Sequence, residues 1–111
     1  MHNFDLKNKT AIITGGAQGF GLDIAKRFIN SGAQVIIWDI DKDEILKASK
    51  EINDANLLYN VVDISNYKQV KDTVDGIIKK LNIDILINNA GITGPTASLW
   101  EYDVEEWNKI I

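Results

Sequence analysis

Apolar and polar positions along this chain follow two alternating periods, short apolar runs and amphipathic stretches. Thr10–Thr14 and Gln34–Asp39 read as strands, and the second holds Val35, Ile36, Ile37 and Trp38 without a polar break. A run of that kind suits a strand covered on both faces, as in a parallel sheet. Leu57–Asp63 and Ile83–Asn88 read as the third and fourth strands. Between them, Ile24, Ala25, Phe28 and Ile29 predict a helix from Phe20 to Asn30, stopped by Gly32. A second helix opens at Asp41-x-x-Glu44, a start resembling a capping box, and carries Ile45, Ala48 and Ile52. The third begins after Ser65 and shows one apolar stripe of Val70, Val74, Ile77, Ile78 and Leu81. A loop with the only proline, Pro95, follows the fourth strand. Asp103-x-x-Glu106 then starts a fourth helix, with Trp107, Ile110 and Ile111 on its apolar side.

The order β-α-β-α-β-α-β-loop-α predicts an α/β fold: a doubly wound parallel sheet with helices on both faces. A chain of 111 residues is at most one small domain. The apolar helical pattern is still running at Ile111, with no glycine stop, terminal basic residue or polar exit. The fourth strand would also lie at an open sheet edge, a liability for an apolar strand. Residues 1–111 are therefore expected to form the N-terminal, first half of a single domain that continues beyond 111.

Composition narrows the function classes. With 45% hydrophobic and 25% charged residues, a packed core is possible. A net charge of −4 without any basic run argues against nucleic acid and anionic membrane surfaces as partners. The absence of cysteine excludes disulfides, thiolate catalysis and cysteine-based metal sites, and the single histidine, His2, cannot anchor a zinc site. Met1–Thr10 is polar and mixed in charge, unlike a signal peptide, and no apolar run approaches the roughly 20 residues of a membrane helix. The expected location is the cytoplasm.

The candidate chemistry sits at the carboxyl ends of the predicted strands. Thr14-Gly15-Gly16-Ala17-Gln18-Gly19-Phe20-Gly21 joins the first strand to the first helix. A tight glycine-rich turn there brings bare backbone N–H groups and a positive helix end to one point, which suits a pyrophosphate. Asp39 closes the second strand, near the roughly 20-residue offset expected for an acidic partner of such a loop. A carboxylate there can accept both adenosine ribose hydroxyls. A 2′-phosphate in its place would meet like charge, at a cost of about 4 kcal/mol at 4 Å with an effective dielectric near 20. Position 18 is Gln and Ile40 follows Asp39, so no cation lies near to offset that repulsion, and NAD is expected over NADP. The competing role for Asp39, capping the next helix, is better filled by Asp41. Asp63 and Ile64 end the third strand, where a carboxylate could meet an adenine amino group and Ile64 pack the ring. An ordinary turn with Ser65 as helix cap is an equal alternative, and both can coexist. Asn88-Asn89-Ala90-Gly91 ends the fourth strand: two amides can hold the loop, and two small residues let backbone approach a flat ligand.

Together Thr14-Gly15-x-x-x-Gly19-x-Gly21, Asp39, Asp63-Ile64 and Asn88-Asn89-Ala90-Gly91 resemble the short-chain dehydrogenase/reductase family, from Lys9 to Ile111. The resemblance implies a Rossmann-like sheet and an oxidoreductase acting on secondary alcohols or ketones. It implies that Gly15, Gln18, Gly19, Phe20 and Gly21 wrap the pyrophosphate of NAD and that Asp39, followed by Ile40, binds the ribose. Adenine would meet Asp63 and Ile64, and Asn89, Ala90 and Gly91 would wall the cofactor. It further implies a homo-oligomer for the complete enzyme and places the catalytic Asn, Ser and Tyr-x-x-x-Lys beyond Ile111, so no catalytic residue is expected here. Tyr67-Lys68-Gln69-Val70-Lys71 spells the last pattern but precedes Asn88-Asn89-Ala90-Gly91, on an outer helix face. Trp38 is expected in the core and Trp107 in the core or an interface, whereas Trp100, after Gly94-Pro95, has a substrate-facing reading beside plain loop packing. Two further functions compete: a non-catalytic NAD-binding module, and a 3-oxoacyl carrier-protein reductase fragment, an activity that usually favours NADP. An adenosylmethionine-dependent methyltransferase would want an acidic residue where Thr14 stands.

Overall fold

A computed structural model describes residues 5–89. The expected fourth helix, the loop with Pro95, Trp100 and Trp107 lie outside the described residues. The described chain runs β1 (Thr10–Thr14), α1 (Gly19–Asn30), β2 (Gln34–Asp39), α2 (Lys42–Ile52), β3 (Leu57–Val61), α3 (Tyr67–Ile78) and β4 (Ile85–Asn88). The strands form one parallel sheet in the order β3-β2-β1-β4, with Ile12 level with both Ile36 and Leu86, and Ile36 level with Leu58.

Alternate side chains of β1 and β2 feed two cores. Ile13, Val35 and Ile37 pack with Ala25 and Ile29 of α1 and Ile45 and Ala48 of α2. On the opposite face, Ile12, Ile36 and Trp38 pack with Val70 and Val74 of α3. Helices therefore cover both faces, and the unbroken run from Val35 to Trp38 is buried because neither face of β2 meets water. Trp38 is fully buried, as its strand predicts, and its indole N–H donates to Asn60 Oδ1 at 3.2 Å.

Helix ends follow local chemistry. The Asp41 carboxylate accepts the Glu44 N–H at 3.2 Å and starts α2. Gly32, at φ +95°, terminates α1 with its N–H on the Ile29 carbonyl. Two strands are shorter than their sequence pattern. β3 ends at Val61 rather than Asp63: β2 itself ends at Asp39, whose carbonyl takes the Val62 N–H at 2.9 Å, and the Asp63 N–H meets the Gln69 side chain. β4 begins at Ile85 rather than Ile83, where the Asp84 carboxylate takes the Thr10 N–H at 2.9 Å. The cap of α3 is Asn66, whose side chain accepts the Gln69 N–H, and not Ser65.

Gly76, inside α3, is a weak point of local structure. A Cβ there would meet nothing within 4 Å. Gly76→Ala is expected to stabilise the protein by about 0.5–1 kcal/mol, since glycine leaves more backbone freedom to the unfolded chain. The check is a rise in the urea midpoint at constant slope; a fall would show that something packs against that position.

Candidate functional site

Parallel strands end on the same side, so the loops after β1, β2, β3 and β4 share one rim of the sheet. Between β1 and α1 the chain turns through Gly15 at φ +64° and Gly19 at φ +58°. The Gly15 N–H donates to the Trp38 carbonyl at 2.7 Å, and the Gly16 N–H reaches the same oxygen at 3.4 Å. These bonds moor the loop to the end of β2. Gly21 is buried, and a Cβ on it would fall 2.2 Å from the Gly15 carbonyl oxygen and 2.8 Å from Asn89 Nδ2. Only a residue without a side chain lets the first turn of α1 come this close to the loop. Gln18 makes no side-chain cap for α1, and no acidic residue stands in its first turn. The N–H groups that open this helix, from Gly19 to Gly21, have no carbonyl partner within it, which leaves donors and the positive dipole end at the rim.

Asp39 tightens the same loop. Its Oδ2 accepts the Ala17 N–H at 3.3 Å and its Oδ1 accepts the Asp41 N–H at 3.1 Å. A carboxylate offers about four acceptor positions, so both oxygens retain capacity for ligand hydroxyls. Beyond β3, Asp63 Oδ1 accepts both the Ser65 N–H at 2.9 Å and the Ser65 hydroxyl at 2.6 Å. These bonds, the hydroxyl first, hold the Asp63 carboxyl below its usual pKa.

The end of β4 is latched to the loop. The Thr14 hydroxyl accepts the Asn89 N–H at 2.9 Å and lies 3.0 Å from Asn88 Oδ1, to which it can donate. The Asn89 side-chain amide donates to the Gly15 carbonyl at 3.3 Å. A family model described as short chain dehydrogenase matches residues 9–111 of this sequence. The chain belongs to the short chain dehydrogenase family.

Curated relatives and solved structures place it among longer short chain dehydrogenases. It is 38% identical over 110 residues to the 3-oxoacyl-(acyl-carrier-protein) reductase FabG of Chlamydia trachomatis serovar D, covering 96% of this chain and 44% of that protein. It is 36% identical over 107 residues to the 2-dehydro-3-deoxy-L-rhamnonate dehydrogenase (NAD(+)) of Sphingomonas sp. strain SKA58, covering 93% and 41%. A short chain dehydrogenase structure from Bacillus anthracis superposes with a TM-score of 0.73 at 34% identity, over 95% of this chain and 43% of that one. The RhlG/NADP active-site complex of Pseudomonas aeruginosa gives 0.72 at 28% identity, over 91% and 42%. The chain thus spans less than half the length of these relatives.

In this short chain dehydrogenase the structure brings Gly15, Gln18, Gly19, Phe20, Gly21, Asp39, Ile40, Asp63, Ile64 and Asn89 to one rim, while Ala90 and Gly91 lie outside the described residues. The five loop residues divide by role. Gly15 and Gly21 are spent on each other's packing, whereas Gln18, Gly19 and Phe20 are exposed, Phe20 by 76%. Ile40 is also exposed, by 67%. The Tyr67–Lys71 pair is on the outer surface: Tyr67 is 62% exposed, and Lys71 donates to Asp75 at 3.1 Å. That hydrogen bond raises the Lys71 pKa, so its charge is held by Asp75. Sequence reasoning missed the Trp38 carbonyl and the Gln69 amide, because a main-chain acceptor and a surface glutamine carry no signature.

Proposed function

We propose that this chain is the cofactor-binding half of an NAD-dependent short-chain dehydrogenase/reductase that acts on a secondary alcohol or ketone. Residues 1–111 are read as the N-terminal part of one dinucleotide-binding domain, supported by the 44% share of the FabG relative that they match. The observation that carries the reading is the cradle at Gly21. The close approach of α1 to the Gly15 carbonyl holds the uncapped start of that helix on the same loop whose Ala17 N–H donates to the Asp39 carboxylate. That donor set fits a pyrophosphate joined to a ribose: N–H groups and a helix end for the anion, and a carboxylate for the hydroxyls. The chemistry such a dinucleotide supplies when bound is reversible hydride transfer at nicotinamide C4. The roles of this chain's residues are to bind and to orient. Gly19, Phe20 and Gly21 donate main-chain N–H groups to the phosphates, while Gln18 and Phe20 flank them. Asp39 accepts the ribose hydroxyls, with Ile40 beside it, and Asp63 and Ile64 contact adenine. Asn89 fixes the loop, and with Ala90 and Gly91 walls the cofactor.

The preference for NAD rests on Asp39 and on the absence of a cation at positions 18 and 40. The full-length protein is expected to bind NAD at least about tenfold more tightly than NADP, from charge repulsion of the 2′-phosphate. Asp39→Ala should weaken NAD roughly 10- to 100-fold, the worth of hydrogen bonds to a charged group, and narrow the gap to NADP. Calorimetric titration with both dinucleotides decides it, and equal wild-type affinity for NADP sinks the assignment. The likeness to a 3-oxoacyl-(acyl-carrier-protein) reductase favours a second reading, a fragment with that activity. An NADP preference in the same titration would support it.

A further inference from the structure

β3 is an end strand: β2 pairs with one of its edges, and among the described residues no strand pairs with the other. The Val35 N–H donates to the Asn56 carbonyl and the Val62 N–H to the Asp39 carbonyl, both at 2.9 Å, so the even-numbered residues of β3 turn their main chain to β2. The odd-numbered residues of such a ladder turn theirs outward. Leu57 keeps only its carbonyl for that side, because its N–H donates to the Asp54 carbonyl at 3.1 Å. Tyr59 and Val61 turn out both donor and acceptor. Edges of this kind are ordinarily blunted by a lysine, a proline or a bulge. Leu57-Leu58-Tyr59-Asn60-Val61 holds no charge and no proline, and its register with β2 runs without a bulge. Three of its apolar side chains are exposed: Leu58 by 39%, Tyr59 by 42% and Val61 by 49%.

A groove of about 610 Å³ separates this edge from α3. Its outer lip is formed by Asp72 and Gly76 of α3 and by Lys80 just beyond the helix, four residues apart and all exposed. Asp72 stands at the Val61 end of β3, where the two line a second cavity together, so Lys80 stands toward the Leu57 end. Lys80 makes no ion pair among the described residues. We propose that this edge binds a second copy of the chain, β3 against β3 in antiparallel pairing about a two-fold axis at Tyr59. Tyr59 then exchanges two hydrogen bonds with Tyr59 of the second copy, and each Val61 N–H meets the Leu57 carbonyl opposite it. Those four bonds use every outward donor that β3 retains. The charges favour a second copy over an unrelated strand. The axis stands perpendicular to the sheet, so it keeps both α3 helices on one face and reverses their direction. Asp72 of each copy is thereby set opposite Lys80 of the other, a self-complementary pattern that two-fold symmetry requires. The inference stands apart from the dinucleotide reading, because it draws on no residue of the glycine loop or of Asp39.

Sedimentation velocity of the full-length protein over a range of concentrations tests this, after circular dichroism shows that each variant is folded. Tyr59→Lys places two like charges directly opposite each other at the axis, where a symmetric pair cannot avoid them. It should raise the dissociation constant of the pairing step at least about tenfold and so halve the mass of the assembly at the lower concentrations. Asp72→Lys and Lys80→Asp should each weaken pairing by about three- to tenfold, since each sets like charges across the axis. The two combined restore opposite charges there and should return pairing to within about twofold of wild type. A purely local effect on α3 would instead accumulate in the double variant. Should Tyr59→Lys fail to fold, the charge swap decides alone. A folded Tyr59→Lys protein with the wild-type mass at every concentration overturns the inference. So does a double variant that pairs no better than either single one, and so does a wild type that stays monomeric throughout.

Discussion

Gly21→Ala is expected to abolish dinucleotide binding, by about 100-fold or more, and to destabilise the fold by about 1–3 kcal/mol, the usual cost of forcing extra atoms into a packed site. The added methyl would stand 2.2 Å from the Gly15 carbonyl oxygen, well inside contact distance. That oxygen belongs to the main chain and cannot swing aside as a flexible side chain would. Gly15 is also held from two sides, by its own N–H on the Trp38 carbonyl and by the Asn89 amide on its oxygen. The helix must therefore retreat, carrying the N–H groups of Gly19 and Phe20 away from the rim. A displacement near 1 Å is enough to cost about 100-fold where positioning does the binding. Urea unfolding and calorimetric titration of the full-length variant test both halves. Wild-type affinity in a folded Gly21→Ala protein would refute the steric account. Gly19→Ala is a useful contrast: its Cβ would meet nothing within 4 Å, so its cost is the positive φ alone, about 1–2 kcal/mol.

Trp38→Ala should have the largest effect on stability, a loss of about 3–5 kcal/mol. The indole is fully buried in the α3-side core with Ile12, Ile36, Val70 and Val74. Its removal opens a cavity that the sheet cannot close, since β2 is paired on both edges. It also takes away the donor to Asn60 Oδ1. Against a typical total stability of about 5–15 kcal/mol, this consumes much of the margin. Trp38→Phe keeps most of the apolar surface and should cost less, about 1–2 kcal/mol, from the lost hydrogen bond and a smaller void. Because the contact to the glycine loop is made by the main-chain carbonyl of residue 38, Trp38→Phe should still bind dinucleotide near the wild-type level. Thermal unfolding and titration check these together; a Trp38→Ala protein within 1 kcal/mol of wild type would contradict the burial argument.

Most of the fold was legible because its determinants are local or periodic. The bounds of β1 and β2 follow from apolar runs that both sheet faces require, and the amphipathic stripes of α1, α2 and α3 follow from helices that cover one face each. Asp41 and Gly32 mark helix ends through bonds to residues three positions away. The fold family was legible too, from four short motifs at successive strand ends, and the family match over residues 9–111 agrees. Other features were set by which distant atoms come together once the sheet is built. Past the end of β3, the Val62 N–H still reaches the Asp39 carbonyl and the Asp63 N–H, on the open edge, meets the Gln69 side chain. The late start of β4 depends on the Asp84 carboxylate at Thr10, across 74 residues. Asn66 prevails over Ser65 as the α3 cap because the Ser65 hydroxyl is taken by Asp63. In the site, residue types announced a glycine loop and its acidic partner. That the Asp39 carboxylate braces Ala17, that the Trp38 carbonyl moors Gly15, and that Thr14 latches onto Asn88 and Asn89 were decided by tertiary structure alone. A sequence specifies side chains and their period along the chain. Long-range hydrogen bonds exist only after the strand order β3-β2-β1-β4 has brought four separate strand ends to one rim.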